Sequence, residues 1–342
     1  MKPLFRIGIA ALVAMQLGGA FAPLDFRAPM AAAAALILVT GFPLMTGTFR
    51  KAAAIFIALG AAMLLYSKQP PMAWIEASVS MTNIIGIVAV MQVFSVPIKL
   101  GDYDSAIRSW LDRRFTTERS LFAFTTLAAH VLTSFLNLGS IPVMVSLFED
   151  TLMRRVSEYE RFFASATTRG YVLAALWSPG AVNLFLVVQA TDLSWSEVFL
   201  PGFVLAAGGM VLSYAMETKK SGVLAPAARR EPLEQTAPPS HPEGPSPSDP
   251  SARSRVSHII AVASVFVLVM ALMEALRIGQ KSSRMILAGA LVALAWLFAL
   301  RRRPGLATAL KQYWSQGILK AADVAPFFVA MGIFSGALES SG

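Results

Sequence analysis

The sequence contains no cysteine, which excludes a disulfide framework, a thiolate nucleophile and any cysteine-ligated metal. Charge is scarce too. Only 14% of the 342 residues are Asp, Glu, Lys or Arg, against about 25% in a soluble globular chain. Zinc-ligand spacing, a phosphate-cradling glycine loop and a nucleophile elbow are all missing. No pair of carboxylates is laid out for general acid–base work, so the chain reads as a non-enzyme with no cofactor and no metal centre. What is abundant is apolar: 56% of the residues are hydrophobic and the mean hydropathy is +0.60. Most of the chain must therefore face lipid or other helices.

The formal charge is +9 and the isoelectric point is near 10.0, a balance that in a soluble protein would suggest nucleic acid. Here the basic residues stand between apolar runs, as expected of cytoplasmic loops under the positive-inside rule. The lipid bilayer is accordingly the expected partner and nucleic acid is not. About 20 apolar residues are needed to cross the hydrocarbon core. On that criterion spans are expected at Phe5 to Ala22, Met30 to Gly47, Ala52 to Tyr66 and Ser78 to Ile98. Others follow at Phe162 to Gln189, Phe199 to Met216, His258 to Leu276, Met285 to Leu300 and Val324 to Leu338. Ala20-Phe21-Ala22 resembles a signal-peptide cleavage site, yet with so many spans behind it a retained first helix is the plainer reading.

Basic clusters at Lys2/Arg6, Arg50/Lys51, Lys99 to Arg119, Lys219/Lys220 and Arg301 to Arg303 set the direction, with the N-terminus cytoplasmic in an inner-membrane, multi-pass arrangement. Arg277, Lys281 and Arg284 fall on the opposite side. The apolar run from Leu121 to Phe148 must leave and return on one side, as a re-entrant hairpin or as two full spans joined by a tight turn; its 28 residues are short for two crossings, which favours the hairpin. Between 218 and 257 proline, serine and charge dominate, predicting a disordered cytoplasmic linker. It divides the chain into a first membrane unit, 1–217, and a second, 258–342.

The two units carry a matching pattern. At a constant offset of 240, Trp74 pairs with Trp314, Asn83 with Asp323, Met91 with Met331, Phe94 with Phe334 and Ser95 with Ser335. The loop charges run these segments in opposite directions, the arrangement of an inverted-repeat secondary transporter. The expected fold class is thus an all-α polytopic membrane protein with an incomplete second repeat. Symmetry places a further hairpin and two spans after Gly342.

Candidate functional residues gather at two breaks. The hairpin centre holds Thr133, Ser134, Asn137, Gly139 and Ser140, and irregular backbone at membrane depth is tolerated where it lines a cavity. A half-helix N-terminus there suits an anion, while carbonyls and hydroxyls suit Na+ as a coupling ion. A Ser/Gly packing face is the plain alternative. At the second break Pro179 and Gly180 interrupt a span that also holds Thr167, Thr168, Arg169, Ser178 and Asn183. Arg169 reads equally as an oxyanion clamp or as a cation snorkelling to the surface. His130, seven residues before Asn137, reads first as a hydrogen-bonded packing residue and second as a proton relay.

Ser134-Phe135-Leu136-Asn137, Ser178-Pro179 through Asn183 continuing to Pro201, and Ala325 to Gly342 with Phe327-Phe328 and Leu338-Glu339-Ser340-Ser341-Gly342 resemble motifs of the ion transporter superfamily. That family includes sodium-coupled di- and tricarboxylate carriers, arsenite-efflux-type permeases and sodium/proton antiporters. The resemblance implies an elevator-type or related carrier for a small anionic substrate, a carboxylate by preference, coupled to Na+ or H+. It also implies that Asn137 and Asn183 lie near one ion or substrate site, with a homodimer among the expected assemblies. The readings kept beside it are a non-transporting membrane subunit or scaffold and a sodium/proton antiporter-like protein.

Overall fold

The computed structural model describes residues 1–21, 24–100, 117–136, 140–156, 158–191, 193–218, 250–279, 281–301 and 304–341. They are helical, with no strand among them. Among the described residues six helices are long and apolar enough to cross a membrane: Lys2–Phe21, Arg27–Leu44, Gly47–Tyr66, Pro71–Ile98, Trp195–Glu217 and Leu306–Ser340. Shorter apolar helices cover Val182–Thr191, Ala261–Ala275 and Ser283–Ala299. This is the composition of an all-α, multi-pass membrane protein.

The chain forms two compact units. One comprises Met1–Leu100 with Leu268–Gly342, and the other Gly101–Val267. Helices distant in sequence bury each other's apolar faces in the first unit, and chain order gives no sign of such pairings. Residues 219–249, the body of the predicted linker, lie outside the described residues.

The first unit opens with α1 (Lys2–Phe21), α2 (Arg27–Gly41) and α3 (Gly47–Tyr66). Phe5, Ile9 and Leu12 bury one face of α1, which packs on α2. Helix α3 starts earlier than the apolar run from Ala52 suggests, because Thr48 to Lys51 extend it with exposed side chains.

The span expected at Ser78 to Ile98 begins earlier and is interrupted. It forms α4 (Pro71–Val79), α5 (Thr82–Val93) and α6 (Ser95–Leu100). Pro71 stands at the start of α4, where its missing N–H costs nothing. The interruption at Ser80 and Met81 has a local cause in three alternating hydroxyl residues. Ser78 Oγ donates to Ile75 O at 2.7 Å, Ser80 Oγ to Ala77 O at 3.0 Å and Thr82 Oγ1 to Val79 O at 2.7 Å. Such side chains compete with backbone N–H groups for carbonyls and bend or break helices.

Helix α12 (Pro250–Ala275) starts inside the segment read as linker, with proline again at the first position, and only its residues from Leu268 onward belong to the first unit. Helices α13 (Lys281–Ala299), α14 (Leu306–Gln312) and α15 (Val324–Ser341) complete the unit. Between α14 and α15 a π turn at Tyr313–Gly317 and a 3-10 turn at Ile318–Ala321 break the helical register. Helix α15 packs against α2, α3, α4 and α5, while α13 packs against α5 and α1. The α4–α15 contact is backbone to backbone. A Cβ on Gly336 would lie 2.5 Å from Ala77 Cα, and one on Gly332 would lie 2.9 Å from Ser80 Oγ. Small residues four apart let membrane helices approach this closely.

In the second unit α7 (Glu118–Leu136) and α8 (Ser140–Arg155) pack against each other. They cover the apolar run from Leu121 to Phe148, and charged residues extend both helices beyond it. At 19 and 16 residues they are about 28 and 24 Å long, from a rise of about 1.5 Å per residue. Helix α9 (Tyr159–Ala174), the short α10 (Val182–Thr191) and α11 (Trp195–Thr218) complete the unit. Helix α9 packs on α7, and α11 packs on both.

Candidate functional site

Pro179 has no N–H, and the residue before it is pushed out of the helical region. Helix α9 therefore ends at Ala174, and residues 175 to 181 form turns before α10 resumes. Trp177, Ser178, Pro179, Gly180 and Ala181 are nevertheless all buried. An interior break must satisfy its polar groups internally, and here the hairpin does so. Ser178 Oγ donates to Ser134 O at 2.7 Å and accepts from Gly180 N at 3.2 Å. Across the hairpin end, Thr133 Oγ1 and Ser140 Oγ are 2.9 Å apart. Ser134 Oγ turns back to His130 O at 2.9 Å.

The network extends through His130. Trp177 Nε1 donates to His130 Nε2 at 3.0 Å, and Trp195 Nε1 donates to Trp177 O at 3.0 Å. Trp177 meets Phe199 and Phe203 edge-on, with ring centroids 5.9 and 5.4 Å apart. The approach of α7 to α9 depends on Gly170, where a Cβ would lie 2.4 Å from Thr126 O and 2.9 Å from His130 N.

A second cluster lies toward the start of α9 and the end of α11. Glu217, its side chain 3% exposed, stands 3.4 Å from Arg169 Nη1 and 3.6 Å from Arg161 Nη1. Arg169 Nη1 also donates to Ser213 O at 3.2 Å and to Ser213 Oγ at 3.3 Å. Its guanidinium carbon lies 5.4 Å from the Phe122 ring centroid. Arg161 is paired with Glu158 as well. Burial pushes the Glu118 carboxyl up, as do the Glu217 and Glu158 charges, while Arg161 opposes them.

The first unit holds a cavity of about 410 Å³ at the α4–α5 break, lined in part by Gln16, Asp25, Arg27, Ser80, Thr82 and Asn83. Gln16 Nε2 donates to Thr82 O at 2.9 Å, satisfying a carbonyl beside the break. At the rim Arg27 bridges Asp25, at 3.1 Å, and Glu76, at 3.0 Å. The Arg27 hydrogen bonds hold the Asp25 carboxyl below its usual range.

The structure thus brings Ser134, Ser140 and Ser178 together, with Pro179 buried beside them. Thr167 is buried in α9, whereas Thr168 and Asn183 are exposed and make no part of that network. Arg169 faces Glu217 and Ser213 instead of the break. Asn137 and Gly139 lie outside the described residues. Trp177, Trp195, Ser213 and Glu217 were not singled out from the sequence. Glu217 carried one usable signal, an acid at the end of an apolar run two helices away from an in-span arginine.

Fold and site together define a multi-pass helical membrane protein with a buried polar junction between an interrupted helix and a neighbouring helix end. No family model, curated protein or solved structure matches the chain.

Proposed function

We propose that this protein is a secondary active transporter, an alternating-access carrier of a small anion, a carboxylate by preference, coupled to Na+ or H+. The observation that carries the reading is the Ser178 Oγ to Ser134 O hydrogen bond at 2.7 Å, which ties an interrupted helix to the end of a hairpin. Interrupted helices are tolerated in a membrane where they serve a binding site, and carriers build their sites from them. The loop-charge pattern and the motifs resembling the ion transporter superfamily point the same way.

The first unit adds support for an inverted repeat. Two of its interruptions fall at Ser80–Met81 and at 313–323, just before Thr82 and Val324, and so overlap under the offset of 240 that pairs Asn83 with Asp323. Packing is exchanged in the same sense: α3 lies on α15, and α13, its counterpart, lies on α5.

Purified protein reconstituted into liposomes tests the reading with labelled di- and tricarboxylates under an inward Na+ or H+ gradient. Accumulation above equilibrium is expected, together with its collapse when an ionophore dissipates the gradient. Asn137→Ala should abolish uptake. Ser178→Ala should reduce it roughly five- to tenfold, the equivalent of one lost hydrogen bond. Uptake indifferent to both gradients, or no uptake of any anion, leaves a non-transporting membrane subunit as the better description.

A further inference from the structure

We propose that His130 is a proton-binding switch: its protonation releases Trp177, and with it the Ser178 break, from the hairpin. For its part in coupling, this inference rests on the carrier reading and names H+ as the ion.

An indole N–H can only donate. Because Trp177 Nε1 lies 3.0 Å from His130 Nε2, that nitrogen must present a lone pair, and the ring is the neutral tautomer with its proton on Nδ1. Nδ1 is buried and has no hydrogen-bond partner among the described residues. A proton added from solution would occupy the Nε2 lone pair. Both imidazole nitrogens are then donors, and the Trp177 N–H faces another N–H in a site where both residues are only 8% exposed. Buried donors without acceptors are expensive, so the pair must part.

What parts with it follows from the bonds around the ring. Trp177 immediately precedes Ser178, whose hydroxyl holds Ser134 O, and Ser134 Oγ holds the His130 carbonyl. The imidazole, the indole, the break and the hairpin end thus form a closed circuit of hydrogen bonds. The imidazole–indole bond is the one link in it that a proton abolishes.

Two buried hydroxyls lie near the ring. Thr126 lies one turn before His130 and Thr167 one turn before Gly170, along the α7–α9 seam. Both are buried, at 2% and 7% exposure, and their hydroxyls have no hydrogen-bond partner among the described residues. Elsewhere in this chain such a hydroxyl turns back on its own helix, as Thr40 does to Leu36 O at 2.6 Å. No charged side chain among the described residues pairs with the imidazole. The helices packed against α7 carry Glu149 and Arg155 on α8, Glu160, Arg161, Arg169 and Tyr171 on α9, and Glu197, Tyr214 and Glu217 on α11. Of these, Arg161, Arg169 and Glu217 pair with each other, beside Phe122 two turns away along α7.

Tryptophan emission of the full chain in phospholipid vesicles tests the switch without any substrate. A titration from about pH 8 downward, as far as the protein stays folded, should show a transition. It should be lost in His130→Gln, whose amide still accepts from Trp177, and in Trp177→Phe, which keeps the ring packing. A flat profile in the unaltered protein, or a transition that survives His130→Gln, overturns the proposal. In transport, a pH step of one unit should drive about tenfold accumulation per proton coupled without net charge. His130→Gln should reduce that ratio to one while retaining counterflow exchange. Accumulation driven by Na+ alone refutes H+ coupling and leaves the carrier reading intact, whereas absence of all flux removes the carrier reading and leaves the emission titration to decide the switch.

Discussion

Glu217→Leu should destabilise the second unit by about 3 kcal/mol, the lower end of the range for breaking a buried ion pair. The carboxylate is 3% exposed and lies between two guanidinium groups, so its removal strands charge in a poorly hydrated place. The lower end applies because Arg161 is 48% exposed and can regain water, whereas Arg169, at 31%, is less able to. Unfolding of the purified protein in detergent, followed by far-ultraviolet circular dichroism, measures the loss. The double variant Glu217→Leu with Arg169→Leu should recover most of it, because replacing both partners with apolar groups removes the unpaired charge along with the bond. Equal midpoints for Glu217→Leu and the unaltered protein would show that the cluster does not hold α9 to α11.

Gly170→Ala should cost about as much, roughly 2–3 kcal/mol, although it adds a single methyl group. Its Cβ would lie 2.4 Å from Thr126 O and 2.7 Å from Ala129 Cβ, and neither can yield unless α7 and α9 separate. Gly209 is the control. A Cβ there meets Leu173 Cδ2 at the same 2.4 Å, but that atom ends a flexible side chain and can rotate away. Gly208 meets nothing within 4 Å, so Gly208→Ala should stabilise the helix by up to about 1 kcal/mol through propensity alone. Unfolding of the three variants side by side separates backbone approach from helix propensity. If Gly170→Ala and Gly209→Ala behave alike, the α7–α9 contact is looser than described.

Both predictions concern positions that give the hairpin and the break a fixed relation. Gly170 sets how closely α7 approaches α9, and Glu217 ties Arg161 and Arg169 of α9 to α11. The polar junction at Ser134 and Ser178 lies along the same pair of helices. Its geometry therefore depends on contacts remote from it, and activity lost in either variant should follow the loss of stability.

Much of the secondary structure was legible in the residues. Val324 to Leu338 was expected as a span and is α15, and Pro179-Gly180 was expected as a break and is one. The hairpin was read from charge alone, since basic residues on both sides of one apolar run leave few other paths. The residues were silent where the signal was tertiary. Asn183, aligned with a motif, lies on an exposed helix face. Arg169 turned to Glu217, 48 positions away, which no helical periodicity relates to it. The interruption at Ser80 went unread because it arises from three serine and threonine hydroxyls capturing their own helix's carbonyls, a competition whose outcome depends on the packing of α15 nearby.

The sequence by itself determined that this is a helical membrane protein, where its apolar runs lie and which of them cannot continue unbroken. Those properties follow from the transfer energy of side chains and from the missing N–H of proline, both local to a stretch of chain. Only the tertiary structure decided which helices share a unit, which break meets which hairpin, and that His130 faces Trp177. Those outcomes depend on side-chain shape and hydrogen-bond direction between segments tens to hundreds of residues apart, where the order of residues along the chain carries no direct signal.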